Sequence, residues 1–312
     1  MSTPIRRREL LGIRGLPKDD LLWILERSTD YISKLDTDAA LSFEPLLQGR
    51  TIANLFFENS TRTRSSFELA ELRLGAVPLS LSMQTSSLTK GESLIDTVKV
   101  ITAMKINGIV VRHQSAGVPQ LLRKHLPNSV RILNAGDGAG EHPTQALLDA
   151  ASLIERFGSL EGKRIGIVGD ITHSRVARSN ILLLQQLGAS VMVAGPTTLI
   201  PATFGDVYGV EVKHRVDAVL DNCDAVIMLR IQKERQDRAY LPSAEEFRAI
   251  FGITEQRYEQ YPNLTILHPG PVNRGVELDD ASLDGERSMV FRQVRRGVAV
   301  RMAVLEWIFS EK

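Results

Sequence analysis

Short apolar runs of strand length alternate with longer segments of helical periodicity from one end of this 312-residue chain to the other. That alternation restricts the fold to parallel sheets covered by helices. The predicted strands are Ile52 to Phe57, Val77 to Leu81, Gly108 to Val111, Arg131 to Asn134, Arg164 to Gly169, Val191 to Ala194, Ala225 to Met228 and Thr265 to Leu267. Helices are predicted after Ser60, from about Ser93 to Met104, near Val118 to Lys124, from His142-Pro143 onward, and up to Leu187. The chain is too long for one comfortable core. The expected class is therefore α/β, with two domains, each a parallel sheet flanked by helices, joined by a long helix. A boundary at the glycine-marked join Gly158 to Gly162 gives domains 1–157 and 158–287. The C-terminal segment 288–312 is expected to return to the first domain, because Phe291, Val294, Val298, Met302, Leu305 and Phe309 form one helical stripe that must pack somewhere. Two such domains predict a cleft lined by strand C-termini, where the ligands of open sheets bind.

Lys and Arg (38) nearly balance Asp and Glu (37), which leaves no electrostatic footprint for nucleic acid or an anionic membrane surface. Any anion recognition must be local. The opening Arg6-Arg7-Arg8 reads as a solvated tail, and no apolar run approaches the ~20 residues that span a bilayer, so a cytoplasmic location is expected. The single cysteine, Cys223, excludes an intrachain disulfide and a cysteine-based zinc site, and it has no neighbouring histidine. It is read as structural, and neither a cofactor nor a metal is predicted.

The segment Ser60-Thr61-Arg62-Thr63-Arg64 joins an apolar strand to a helix on which Phe67, Ala70 and Leu74 recur. A helix start offers unpaired N–H groups and a positive dipole end, and hydroxyls and guanidinium groups here add to them. Ser60 or Thr61 is expected to cap the helix, and the whole run reads as a phosphate or carboxylate cradle; taken alone it also fits an ordinary cap followed by surface arginines. Arg112 ends the strand Gly108 to Val111 and is followed by His113. A rim arginine would look the same. His142, Pro143, Thr144 and Gln145 start a helix after the turn Gly136 to Gly140, read as a flexible approach to a ligand, and His142 and Gln145 share a face. Arg175 follows the strand ending at Gly169-Asp170, Arg230 and Gln232 follow the strand Ala225 to Met228, and His268-Pro269-Gly270-Pro271 follows Thr265 to Leu267. Gly166 to Asp170 lacks the G-x-G-x-x-G of a dinucleotide site, and Gly158 to Lys163 has one residue too few for a P-loop, with Arg164 where Ser or Thr should follow.

Taken in order, Phe57-Glu58-Asn59-Ser60-Thr61-Arg62-Thr63-Arg64, Ser86 to Gly91, Arg112-His113, His142-Pro143-Thr144-Gln145, Arg175, Arg230-Ile231-Gln232-Lys233-Glu234-Arg235 and Leu267-His268-Pro269-Gly270-Pro271 closely resemble the aspartate/ornithine carbamoyltransferase family. The resemblance covers nearly the whole chain and is to the aspartate branch. It implies transfer of a carbamoyl group from carbamoyl phosphate to L-aspartate, giving N-carbamoyl-L-aspartate and phosphate in pyrimidine synthesis. By the same resemblance Ser60, Thr61, Arg62 and Thr63 hold the phosphate, and Arg112 bridges phosphate and carbonyl oxygen. Thr63, Arg112 and His142 polarise the carbonyl, while Gln145 and the carbonyls of Gly270 and Pro271 take the carbamoyl NH2. Arg175 binds the α-carboxylate, and Arg230 and Gln232 bind the side-chain carboxylate. Ser86 and Lys90 enter from a neighbouring subunit, which implies a homotrimer with shared active sites. Whether the trimer stands alone, joins regulatory chains or docks on dihydroorotase is left open.

The chemistry accounts for this inventory independently. Nucleophile and electrophile both arrive with the substrates, so the protein must position two anions and stabilise a tetrahedral oxyanion, tasks for arginine forks, backbone donors and an imidazole. Gly270-Pro271 is an expected cis peptide, because both carbonyls must point at one small group and only X-Pro makes that inexpensive. An ornithine enzyme must receive a cationic side chain and resembles an Asp-containing Ser-Met-Gly segment and a His-Cys-Leu-Pro segment. This chain has Arg230 and Gln232 there and no cysteine near His268. Aspartate is the expected amine; ornithine or another amino acid is the alternative within the family, and an inactive homologue serving as an assembly partner is the alternative outside catalysis.

Overall fold

A computed structural model describes residues 9–37, 43–82, 93–231 and 243–310. The chain divides into two compact units, one formed by the residues up to Leu147 together with those from Arg295 on, the other by Leu148–Val294.

In the first unit the elements run β1 (Glu9–Leu10), α1 (Lys18–Leu35), β2 (Thr51–Phe56), α2 (Thr61–Arg73), β3 (Val77–Ser82), α3 (Leu94–Ala103), β4 (Gly108–His113), α4 (Val118–His125) and β5 (Arg131–Asp137). The strands form one parallel sheet in the order β1-β5-β4-β2-β3. The chain steps from β2 to β3 in one direction and then crosses back to lay β4 on the other side of β2. The loops leaving β2 and β4 therefore diverge and open a crevice at their carboxyl ends. Both central strands are buried on both faces over most of their length, which is why they read as largely apolar runs. Ala53 and Leu55 of β2, Val98 and Ile101 of α3, Ile109 and Val111 of β4, Leu122 of α4 and Ile132 of β5 make one core cluster. Each of its large side chains contributes about 1.5–3 kcal/mol through burial.

A buried polar contact fixes the helix that follows β2. Asn54 Nδ2 of β2 donates to Glu71 Oε2 of α2 at 2.8 Å, and neither residue is exposed. Burial pushes the Glu71 carboxyl up to about 8, with the Glu68 charge adding to the shift and the Asn54 bond opposing it. Between the ordinary value of 4.5 and about 8 the folded chain keeps a proton that the unfolded chain has released, so stability falls as pH rises through that window. The Glu71→Gln variant is expected to melt like the parent near pH 4.5 and at a higher temperature than the parent at pH 8. Parallel melting slopes for the two proteins across this range would show that Glu71 does not carry the effect.

α5 (Pro143–Phe157) runs on from the first unit into the second, which continues with β6 (Arg164–Val168), α6 (Arg175–Gln186), β7 (Ser190–Ala194), α7 (Phe204–Tyr208), β8 (Glu211–Lys213), α8 (Asp217–Leu220), β9 (Ala225–Met228), α9 (Ala244–Phe251), α10 (Glu255–Gln260), β10 (Thr265–Leu267) and α11 (Asp280–Asp284). Its sheet is also parallel, in the order β10-β9-β6-β7-β8. Here the direction switches between β6 and β9, so a second crevice opens beyond their carboxyl ends. α12 (Val290–Phe309) closes the chain.

The terminal helix departs from the predicted stripe. Phe291 and Val294 are exposed (63% and 56%), whereas Ala299, Val300, Met302, Ala303, Val304, Leu305 and Ile308 are buried. From Arg296 to Leu305 the helix is enclosed all round, and one face no longer describes it. Within the first unit its Glu306 accepts from Tyr31 Oη and Arg27 Nε of α1, each at 2.6 Å, and its Arg301 lies 5.0 Å over the Phe67 ring of α2. β1 and α1 have no counterpart among the predicted elements. A two-residue strand carries no periodicity, and only its pairing with Ile132 and Leu133 makes it a strand.

Candidate active site

The first crevice is built from the ends of β2, β4 and β5. Ser60 occupies the N-cap of α2 with φ −160° and ψ 77°, but its side chain makes no capping hydrogen bond, contrary to the expected Ser or Thr cap. Elsewhere Ser93, Ser174, Ser243 and Thr254 do cap α3, α6, α9 and α10. The first turn of α2 also carries no acidic residue, unlike those of α3, α9 and α10. The hydroxyls of Ser60, Thr61 and Thr63 and the N–H groups of this turn thus stand at a positive helix end whose own first turn carries no carboxylate. Arg64 is turned aside, its guanidinium 5.8 Å from the Phe56 ring.

Arg112 stands opposite Phe56 in the β2–β4 ladder. Its Nη2 pairs with Glu58 Oε1 at 2.6 Å, and its Nη1 donates to Ala135 O at 3.2 Å. That carbonyl is available because the β4–β5 register slips: between Val111↔Asn134 and His113↔Asp137 the chain advances two residues on β4 and three on β5. The extra residue turns the Ala135 carbonyl out of the ladder. Arg112 Nη1 also lies 3.5 Å from Nε2 of His142, a spacing suited to two groups converging on one acceptor oxygen. Nδ1 of His142 is buried, and Nε2 is the nitrogen that faces Arg112. Gln145, one turn along α5, donates its backbone N–H to His142 O, and both side chains are buried.

The turn before His142 is wired, not flexible as expected. The Asp137 carboxylate accepts from Gly117 N at 2.7 Å, Glu141 N at 2.9 Å and Asn134 Nδ2 at 2.9 Å. Glu141 in turn accepts from Ile13 N, and Asn134 Nδ2 also donates to Leu11 O, so the segment after β1 braces the turn. Gly138 has φ +45°, and a Cβ there would come within 2.6 Å of Ala116 N. Only glycine fits. Beside Arg112, burial holds the His113 imidazole below its ordinary value, against the smaller opposing effect of the Glu58 charge.

The second crevice carries the other predicted cations. Arg175 opens α6 directly after the cap at Ser174 and is buried; Arg230 lies two residues past the end of β9. They flank the switch between β6 and β9. The loop ahead of Arg175 is closed by Asp170, whose carboxylate accepts from His173 N at 3.1 Å and contacts His173 Nδ1 at 3.0 Å. Past β10, Gly270-Pro271 is a cis peptide, as expected. Ser86, Lys90 and Gln232 lie outside the described residues.

Residues 8–155 match the family profile described as aspartate/ornithine carbamoyltransferase, carbamoyl-P binding domain, and residues 161–308 match its Asp/Orn binding domain. The chain belongs to the aspartate/ornithine carbamoyltransferase family. The aspartate carbamoyltransferase catalytic subunit of Myxococcus xanthus is 48% identical over 300 residues, covering 96% of this chain and 98% of that protein. The aspartate transcarbamoylase of Trypanosoma cruzi, solved with N-(phosphonacetyl)-L-aspartic acid, superposes with a TM-score of 0.84 at 32% identity, covering 96% of this chain and 95% of that one. The ornithine carbamoyltransferase of Pyrococcus furiosus gives the same TM-score, 0.84, at 27% identity and 98% coverage of each chain. For this carbamoyltransferase the fold therefore does not choose the amine substrate; side chains must.

Two acidic residues of this carbamoyltransferase site escaped sequence reasoning as participants. Glu58 was visible inside the first motif, but nothing local says that it pairs with a residue on a strand laid down much later. Glu277 stands in Gly275-Val276-Glu277-Leu278, with no pattern to distinguish it from a surface glutamate, and is fully buried.

Proposed function

We propose that this chain is the catalytic chain of a cytosolic aspartate carbamoyltransferase, joining carbamoyl phosphate and L-aspartate into N-carbamoyl-L-aspartate and phosphate for pyrimidine synthesis. The observation that carries the reading is the pairing of charges at the two switch points. The first offers an uncapped helix start beside Arg112 and His142, suited to a phosphate next to a carbonyl. The second offers Arg175 and Arg230, suited to a dicarboxylate. The names borne by relatives nearly half identical along their whole length support the same reading.

On this proposal the residues of the domain spanning 1–157 bind carbamoyl phosphate: Ser60, Thr61, Arg62 and Thr63 the phosphate, Gln145 the carbamoyl NH2, with the carbonyls of Gly270 and Pro271 as further acceptors. The domain spanning 158–287 binds aspartate, Arg175 at the α-carboxylate and Arg230 with Gln232 at the side-chain carboxylate. The free amine of aspartate attacks the carbamoyl carbon and a C–N bond forms. The carbonyl oxygen takes the negative charge while Thr63, Arg112 and His142 donate to it. Collapse of the intermediate breaks the C–O bond to phosphate, and the amine proton is released. Ser86 and Lys90 of a neighbouring subunit complete the site, so the working unit is a homotrimer.

The test is a side-by-side assay of the purified protein with carbamoyl phosphate and either aspartate or ornithine. Aspartate is expected to be preferred by at least about 10³-fold in kcat/KM, since an ornithinium would bring its positive charge to a site proposed to hold a carboxylate on Arg230. Preference for ornithine, or no turnover of either, would overturn the reading.

A further inference from the structure

Glu277 is a carboxylate with no exposed surface, and it holds together the two loops of the second unit to which substrate contacts are assigned. Its Oε1 accepts from the backbone N–H of Ile231, the residue after Arg230, at 2.8 Å, and from Asn273 Nδ2 at 2.7 Å. Its Oε2 accepts from the backbone N–H of Asn273, two residues past Pro271, at 2.7 Å. Asn273 Nδ2 also donates to Ile231 O at 3.3 Å, so the two loops are stitched twice. On its other side Glu277 Oε2 lies 3.9 Å from Nε2 of His268, whose side chain is likewise fully buried. His268 Nδ1 accepts from Gly270 N at 2.7 Å, so in the neutral ring Nε2 carries the proton and points toward the carboxylate. The His268 backbone N–H is itself held by Gln293 Oε1 at 3.0 Å. The three hydrogen bonds that end on Glu277 each present it with an N–H donor, which favours the ionised, accept-only form against the burial that raises this carboxyl.

We propose that Glu277, backed by His268 and Asn273, is a positioning residue for the reaction: it sets the arm bearing Arg230 against the loop bearing the Gly270 and Pro271 carbonyls. The inference rests on the function proposed above. Without the shared acceptor, each loop would keep its own backbone but lose its register with the other, and Arg230 would no longer be offered at a defined distance from those carbonyls. Neither β9 nor β10 can supply this, because both strands end before the residues concerned.

The experiment compares the parent, Glu277→Gln, Arg230→Ala and the double variant. Glutamine keeps the volume but opposes one N–H donor with its own NH2 group. In Glu277→Gln, KM for aspartate is expected to rise roughly tenfold or more, while binding of inorganic phosphate stays within about twofold of the parent. In the Arg230→Ala background the same change should raise KM for aspartate less than about twofold, because the group being positioned is gone. If Glu277→Gln does not fold, as judged by circular dichroism, Asn273→Ala removes the second stitch without a donor clash and should show the same split and the same non-additivity. An unchanged KM for aspartate in a folded variant, or effects that simply add to those of Arg230→Ala, would overturn the inference. Failure of the parent itself to turn over aspartate would instead remove the proposed function.

Discussion

Replacing Arg112 with alanine is expected to lower kcat/KM for both substrates by on the order of 10³-fold or more, the largest single effect in the molecule. A lone oxyanion donor is worth about 10²–10³ in turnover, and Arg112 is assigned to the phosphate as well as to the carbonyl oxygen. The same substitution strips Glu58 of the cation 2.6 Å away, and the Glu58 side chain is only 13% exposed. A melting temperature lowered by the equivalent of about 1–3 kcal/mol should accompany the loss. The double variant Arg112→Ala with Glu58→Gln separates these consequences. It should regain most of the stability and none of the activity. Arg112→Lys keeps the charge but not the fork that reaches Glu58, Ala135 O and a ligand together, so it too should remain impaired. Near-parental kcat/KM in a folded Arg112→Ala protein would take this residue out of the chemistry.

Turnover of the His142→Ala variant is expected to fall by about 10²- to 10³-fold, with inorganic phosphate binding preserved within about twofold. The asymmetry follows from where the ring sits. Nε2 stands 3.5 Å from Arg112 Nη1, where the carbonyl oxygen is proposed to develop charge, and the phosphate is assigned to the start of α2 instead. Collapse of the local backbone is not expected, because the turn ahead of His142 is held by Asp137 and Glu141 and not by the imidazole. Isothermal titration with phosphate alongside steady-state kinetics checks both halves. An intact kcat, or phosphate affinity lost in parallel with turnover, would contradict the assignment.

The central strands and most of the helices that bear candidate residues were legible in the sequence, because burial on both faces of a parallel sheet forces largely apolar runs such as Ile52 to Phe57, broken only by Asn54, and Ala225 to Met228. The candidate residues could be found for a related reason: Arg112 ends a strand and most of the others lie in the connection that leaves one, so local order places them at carboxyl ends. Elements whose existence depends on a partner were not legible. β1 is a strand only because Ile132 and Leu133 pair with it, and the burial of α12 from Arg296 onward depends on what surrounds it and not on its period. The turn Gly136 to Gly140 reads as slack from its glycines alone. Its stiffness comes from an aspartate that bonds to Gly117 and a glutamate that reaches Ile13, contacts with no trace in local composition.

By itself the sequence determined the kinds of groups available and their order: hydroxyls and guanidinium groups after the first long strand, an arginine ending another, an imidazole at a helix start, and paired cations in the second half. Those are short-range properties, set by apolar periodicity and by chain geometry over a few residues. Tertiary structure alone decided the strand order, and with it that β2 meets β4 and β6 meets β9 at the switches where those groups are displayed. It also decided which carboxylates serve them, since Glu58 reaches Arg112 and Glu277 reaches Ile231 across intervals of chain that no local pattern spans. A hydrogen bond is specified by position in space to a fraction of an ångström, and the folded backbone, not the spacing of letters, supplies that position.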